Sequence, residues 1–221
     1  MPTKTKIAID ESPHFQSSSI WCSLRSETEQ SLRNLPRVHE RSVAALRFRQ
    51  QIGNPSSVSD EDREIMKVAY LRAALMEFVA MEELLPDDLA RRNLGEKPLK
   101  IKDTESAHLI ILKELRHLHL HLATKTFEAQ QKDAVFRFGE QETNTTLTIE
   151  LIPYEDLLNL KRLRNASKYA ADELDEAIIW LNEAQSSWGI GDVLQRGVQK
   201  YSDALICAYG LRYQQEEGVN R

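Results

Sequence analysis

Three imidazoles and a guanidinium fall within six residues, Arg116-His117-Leu118-His119-Leu120-His121, in a stretch whose apolar spacing predicts a helix. An imidazole titrates near neutrality and can take or give a proton, while a guanidinium binds phosphate through a planar fork of donors. Each residue of an ideal helix advances about 100°. Ala107, Ile111, Leu115, Leu118 and Leu122 then form a buried stripe. His117 and His121, four apart, lie together on the more polar side near Lys113 and Glu114. His119 and His108 fall at the margin of the apolar arc, where His119 is expected as a hydrogen-bonded core histidine, and Arg116 lies at its other edge. For His117 and His121 three readings stand: a solvated face, a metal pair, or an acid/base site. A closed zinc site needs about four ligands. No cysteine lies at useful spacing and there is no His-Glu-x-x-His, so no metal is expected.

The segment Arg116-His117-x-x-x-His121 resembles the Arg, polar residue, three variable residues, His motif of the HEPN superfamily, helical proteins that include RNA-cleaving toxins and defence nucleases. The resemblance implies metal-independent endoribonuclease chemistry with no cofactor, in a protein that its isolated Cys22 and Cys207 lead one to expect in the cytoplasm. The ribose 2′-OH attacks the adjacent phosphate and leaves a cyclic phosphate, which needs a proton shuttle and a fixed cation. On this reading His121 is the acid/base residue, Arg116 clamps phosphate, and His117 orients or assists. Residues five apart point about 140° apart on a helix, so the resemblance implies a homodimer in which two motifs line one cleft. It also implies RNA as partner and, in a toxin or defence setting, an antitoxin or regulatory protein. Some members carry a Tyr two residues after the His; here that position is Ala123, so regulation through such a Tyr is not expected.

Further cations bear on RNA. Arg72 falls within the apolar arc formed by Ile65, Val68, Ala69, Leu75, Met76 and Val79. A charge there is tied to an internal carboxylate or snorkels to the edge, or else contacts a phosphate. Lys161, Arg164, Asn165 and Lys168 recur at helical spacing and could track an RNA backbone. Asp172 and Asp175 continue that stripe, so a solvated face laced with pairs such as Lys168 and Asp172 explains it as well. Arg164-Asn165 also resembles the start of a HEPN motif, but Tyr169 stands where the His would be. Gly189-Ile190-Gly191 follows no strand and lacks the third glycine in place, which excludes a dinucleotide loop.

The elements that must position these groups are mostly helices. Residues 1–20 mix Pro, Ser and charge without periodicity and are expected to form a flexible arm. A helix over 26–51 should be kinked or split by Pro36, and the Gly53-Asn54-Pro55 stretch breaks it. Ser59 caps a second helix that should stop at Pro86. A polar connection with Arg91, Arg92 and Lys97 to Lys102 precedes the His-rich helix, which should open at Asp103 or Thr104 and end near Lys125. Residues 126–152 read as a β-hairpin: Val135–Phe138 and Thr145–Leu151 are β-like, with a turn over Gly139–Asn144. Pro153 should open a long helix reaching Ala184, and a last helix should span 192–213. The expected fold is therefore mainly α, a HEPN-like bundle of about five helices with one inserted hairpin, as a single domain over 21–213 and a polar tail over 214–221.

Composition narrows the classes. At 221 residues, 41% hydrophobic and 29% charged, the chain can build one sizeable core and is too apolar for general disorder. A net charge of −5 argues against indiscriminate coating of nucleic acid, though not against a local basic groove. No apolar run approaches the roughly 20 residues of a membrane span. Lys4 and Lys6 precede no apolar stretch, so no secretory signal is expected, and the isolated Cys22 and Cys207 read as reduced thiols. Beside the endoribonuclease stands a second class, a non-catalytic helical binding or regulatory module.

Overall fold

The computed structural model describes residues 4–17, 23–53, 59–121, 127–138 and 141–211. The order is α1 Ser26–Leu32, α2 Pro36–Gly53, α3 Asp60–Arg91, α4 Ala107–His121, β1 Glu128–Phe138, β2 Gln141–Leu151, α5 Tyr154–Leu157, α6 Ala171–Trp188 and α7 Ile190–Ala208. Pro36 splits the first helical stretch as expected and becomes the first residue of α2, where its missing N–H costs nothing. The free amides of that turn go to Asp88, near the far end of α3, whose Oδ2 accepts from Arg37 N at 2.9 Å and Val38 N at 3.0 Å. A carboxylate with no solvent exposure thus caps one helix with the tail of another and makes α2 and α3 antiparallel neighbours.

Ser59 caps α3 as the sequence indicated, accepting from Asp62 N. The helix does not stop at Pro86 but runs to Arg91. An internal proline costs about 3 kcal/mol, and burying Leu85 and Leu89 on either side, each worth about 1.5–3 kcal/mol, outweighs it.

The His-rich helix starts later than expected. A 3₁₀ turn, Ile101–Thr104, precedes α4, and Glu105 adopts φ 55° between them. Packed by α3, α6 and α7, α4 is enclosed on nearly every side rather than along one stripe. Leu109, Ile110, Ile111, Leu112, Leu115 and Leu118 are all at most 1% exposed. The expected stripe member Leu122 and the helix end near Lys125 lie outside the described residues.

The hairpin is present and longer than read from sequence. β1 pairs antiparallel with β2 from Glu128↔Leu151 to Phe138↔Gln141. Its inward Ile149 and Ala134 are buried, and Lys132 lies over the Trp188 ring at 5.0 Å. Glu150 faces α3, where Lys67 Nζ pairs with it at 2.7 Å and with Glu64 at 2.6 Å. Burial alone would lower Lys67, but the two carboxylates more than reverse this and hold it above the usual lysine range. Gly189 separates α6 from α7 at φ 85°, with Glu150 O only 3.1 Å from where a Cβ would be.

Further expectations fail. The single long helix after Pro153 is a one-turn α5 followed by 3₁₀ turns Leu158–Arg162 and Arg164–Lys168, with α6 starting only at Ala171. Residues 4–17, expected as a flexible arm, instead form a strap over the helices. Ala8 bridges Ser106, Ile7 is buried, and the indole N–H groups of Trp180 and Trp188 donate to Glu11 O and Phe15 O at 2.9 Å. Seven α-helices stand among the described residues, against about five expected. Among the described residues no helix is long and apolar enough to cross a membrane. The polar tail over 214–221 lies outside the described residues.

The strap is pinned by His108, which is fully buried on α4. Its Nε2 faces Val193 O at 2.8 Å and its Nδ1 faces the Glu11 carboxylate. Both neighbours are acceptors, so each ring nitrogen is placed to donate, and the doubly protonated ring would pair with the Glu11 carboxylate. Burial alone would raise the Glu11 carboxyl, yet His108 and then Lys200 hold it at about 2. Because this folded value lies below the unfolded one, the stabilisation is complete above about pH 4.5 and is lost as pH falls toward 2. Urea denaturation of the wild type should show that loss between pH 5 and 2, and Glu11→Gln should flatten the curve over that window; equal slopes would remove the ion pair from the account. A second prediction concerns the α4–α7 contact. A Cβ on Gly197 would stand 2.2 Å from Leu112 Cδ1 in a sealed core. Gly197→Ala should cost about 1–3 kcal/mol in chemical denaturation by overpacking; a neutral result would show that Leu112 has room to move.

Candidate functional site

The motif residues occupy the second half of α4. Arg116 turns toward α3, where Nη2 stands 3.6 Å from Glu83 Oε1, with its own side chain 20% exposed. Its Nε is sealed without an acceptor. Lys113 reaches Glu82 at 2.7 Å, and Glu82 also accepts from Ile101 N at 3.1 Å. His117 is partly buried. Burial holds its imidazole below the usual range; Arg116, Lys113 and Lys168 push the same way and Glu114 opposes them. His121 closes the helix one turn later, and its side chain, like that of His119, lies outside what the structure describes.

Glu114, one turn before His117, is 4% exposed and lies between the buried Leu112 and Leu115. A carboxylate there must be satisfied by donors. Tyr169 OH donates to Oε1 at 2.7 Å and Asn165 Nδ2 to Oε2 at 3.2 Å. Burial, followed by the Glu114 charge and hydrogen bond, drives the Tyr169 phenol far above its usual range, so it serves as a donor and does not ionise. These contacts account for the broken helix: Leu163 and Tyr169 are extended at the ends of the Arg164–Lys168 turn, which swings Asn165 and Tyr169 inward.

The expected stripe of Lys161, Arg164, Asn165 and Lys168 therefore does not exist as a helix face. Lys161 pairs with Asp175 on α6 at 2.6 Å, Asn165 points into the core, and Arg164 and Lys168 are exposed. The Lys168–Asp172 pair is lost with the helix that would have aligned it. What the structure brings together instead are the two motif-like segments, Arg116-His117 on α4 and Arg164 to Tyr169, which converge on Glu114. Arg72 is partly buried on α3 with its Nε lacking an acceptor, and among the described residues no carboxylate pairs with it. Among the described residues no hydrogen bond or ion pair joins it to this cluster. Among the described residues no group of three His, Cys, Asp or Glu could hold a metal ion.

Sequence reading missed the pairing of Glu114 with Tyr169 and Asn165. A signal was present: an acid in the middle of an apolar helix demands donors from elsewhere. Which donors answer it depends on the tertiary fold. No family model, curated protein or solved structure matches the chain.

Removing the Glu114 charge removes the one influence that raises His117. Glu114→Gln should therefore shift the His117 titration, followed by imidazole NMR, to lower pH; an upward shift would contradict the arrangement. Tyr169→Phe should cost about 1–3 kcal/mol, the penalty for a buried acceptor stripped of its donor.

Proposed function

We propose that this chain is a HEPN-like helical module that binds RNA beside the second half of α4 and cleaves it without a metal. One arrangement carries the reading: a partly buried imidazole, His117, lies amid cations supplied by two separate segments, Arg116 and Lys113 on α4 and Lys168 on the turn, and burial and those cations lower its proton affinity. Neutral imidazole is the form that accepts a proton, and surrounding cations suit a phosphodiester. In this proposal His117 and His121, four apart on α4, act as a pair. One takes the 2′-OH proton as the oxygen attacks phosphorus, and the other gives a proton to the departing 5′-oxygen, leaving a cyclic phosphate. Arg116 neutralises the phosphate after leaving Glu83, a contact worth at most about 1 kcal/mol at a partly exposed position. Because Arg116 and His121 sit on different faces of α4, the proposal includes a homodimer that joins one copy's Arg116 to the other's His121. The setting proposed is a toxin or defence system.

A second reading, RNA binding without cleavage, is favoured by Tyr169. It stands at the His position of the Arg164-Asn165 segment and is committed to Glu114. The two readings part on one experiment. Wild type, Arg116→Ala, His117→Ala and His121→Ala are incubated with single-stranded RNA in EDTA, with binding measured in parallel by anisotropy. Cleavage that survives chelation and drops about 10²-fold or more in the His variants supports the nuclease. Binding without cleavage by the wild type selects the binding module. Equal cleavage by all four proteins identifies a contaminant and sinks the catalytic reading.

A further inference from the structure

Cations on the helical body mostly stand against carboxylates: Arg25 with Asp203, Arg37 with Asp87, Lys113 with Glu82, Lys200 with Asp10 and Glu11. Arg47, Arg91, Arg92 and Lys97 are exposed exceptions with no carboxylate partner among the described residues, and along one edge such cations gather. Along it lie Lys100 and Lys102 before α4, Lys4 and Lys6 on the strap, and Arg164 and Lys168 on the turn, all exposed. Among the described residues only Lys6 of these six has a carboxylate partner, Glu105 at 3.2 Å, and both side chains are more than half exposed. Such a pair is weak and yields readily to a competing anion.

The three segments are hydrogen-bonded into one edge. Thr5 N donates to Lys168 O at 2.8 Å, Ala8 N to Glu105 O at 2.7 Å, and Ala107 N to Ala8 O at 2.8 Å. The strap therefore spans the gap between the turn and the segment leading into α4, a stretch of about 10 Å for three extended residues. The approach to α4 is itself held in shape. The fully buried Tyr201 donates its hydroxyl to Leu99 O at 2.8 Å, Leu99 N donates to Tyr209 OH at 2.6 Å, and Ile101 N is held by Glu82. Cations on a pre-set backbone lose less entropy on binding than cations on a free arm.

We propose that this edge is a track for the backbone of a single RNA strand, running from Lys100 and Lys102 across Lys4 and Lys6 to Arg164 and Lys168. It rests on the RNA reading above and extends it: Lys168 is also one of the cations acting on His117, so the track ends beside the candidate site. The strap thereby becomes part of the binding surface. A phosphate backbone fits better than an acidic protein, because protein interfaces centre on apolar anchors whereas phosphate contacts need only donors. Ile7 and Ile101 along the edge are buried and Leu99 is largely covered, which leaves Ile9 on the strap, 45% exposed, as a lone apolar group rather than a cluster of anchors. Asp103 and Glu105 interrupt the cations, and Glu105 is already engaged by Lys6.

The test is anisotropy of a fluorescent single-stranded RNA over a salt series. The proteins are wild type, the pair Lys4→Ala with Lys6→Ala, the pair Lys100→Ala with Lys102→Ala, and Arg47→Ala on α2 as a control off the edge. Each pair should weaken binding several-fold and reduce the log–log salt slope by about 0.7 per lost contact, while the control follows the wild type. If the wild type binds RNA but both pairs keep its slope, the track is overturned and the site reading survives. If the wild type binds no RNA, both fall together. Loss of poly-glutamate binding in the pairs with RNA binding intact would reassign the edge to an acidic polypeptide and overturn the proposal.

Discussion

Glu114 is a carboxylate on the most enclosed helix of the molecule, and its need for donors dictates the course of the chain far downstream. α4 is packed by α3, α6 and α7, so water reaches little of it. An ionised acid left unpaired there would cost several kcal/mol. Tyr169 and Asn165 remove that cost, and to reach Glu114 they must leave a helical path. The Arg164–Lys168 turn is the consequence, and with it the exposure of Arg164 and Lys168 next to the half of α4 that carries Arg116 and His117.

The first half of α4 repeats the same logic with an imidazole. His108 is a sealed ring whose two nitrogens face Val193 O and the Glu11 carboxylate, and Glu11 belongs to a segment without regular structure. Each buried polar group on α4 thus recruits one irregular segment, and the two segments then bond to each other through Thr5 and Lys168. Two of the three segments of the cationic edge are these; the third, with Lys100 and Lys102, is held by Tyr201, Tyr209 and Glu82. The shape of the edge is therefore set by buried polar contacts rather than by strand or helix propensity.

This explains what the sequence disclosed and what it withheld. Helices governed by local signals were legible: Pro36 at the head of α2, Ser59 capping α3, and the alternation of Thr145–Leu151 in β2 all act over a few residues. The failures are places where tertiary contacts override the local signal. Pro86 reads as a stop, but buried Leu85 and Leu89 carry α3 past it. Lys161 to Lys168 keep perfect helical spacing, yet Glu114 draws Asn165 and Tyr169 out of register. The strap looked featureless because its anchors, Trp180, Trp188 and His108, lie far along the chain. For the candidate site, residue types and the phase of Arg116 and His117 were readable; the second segment facing them was not.

The electrostatics of His117 also give the proposed site an internal order of events. In the free protein burial and three cations lower the proton affinity of the imidazole, which favours the state able to take a proton. A phosphodiester arriving between Arg116 and Lys168 would cancel part of that positive field while bringing negative charge close to the ring. Both changes favour the imidazolium. Binding would therefore raise the proton affinity of the group just when a proton must be received, and by linkage protonation of His117 would strengthen the hold on the phosphate. A site of this kind needs no metal to couple substrate arrival to proton transfer, because the cations that attract the substrate are the ones that keep the base free until it comes.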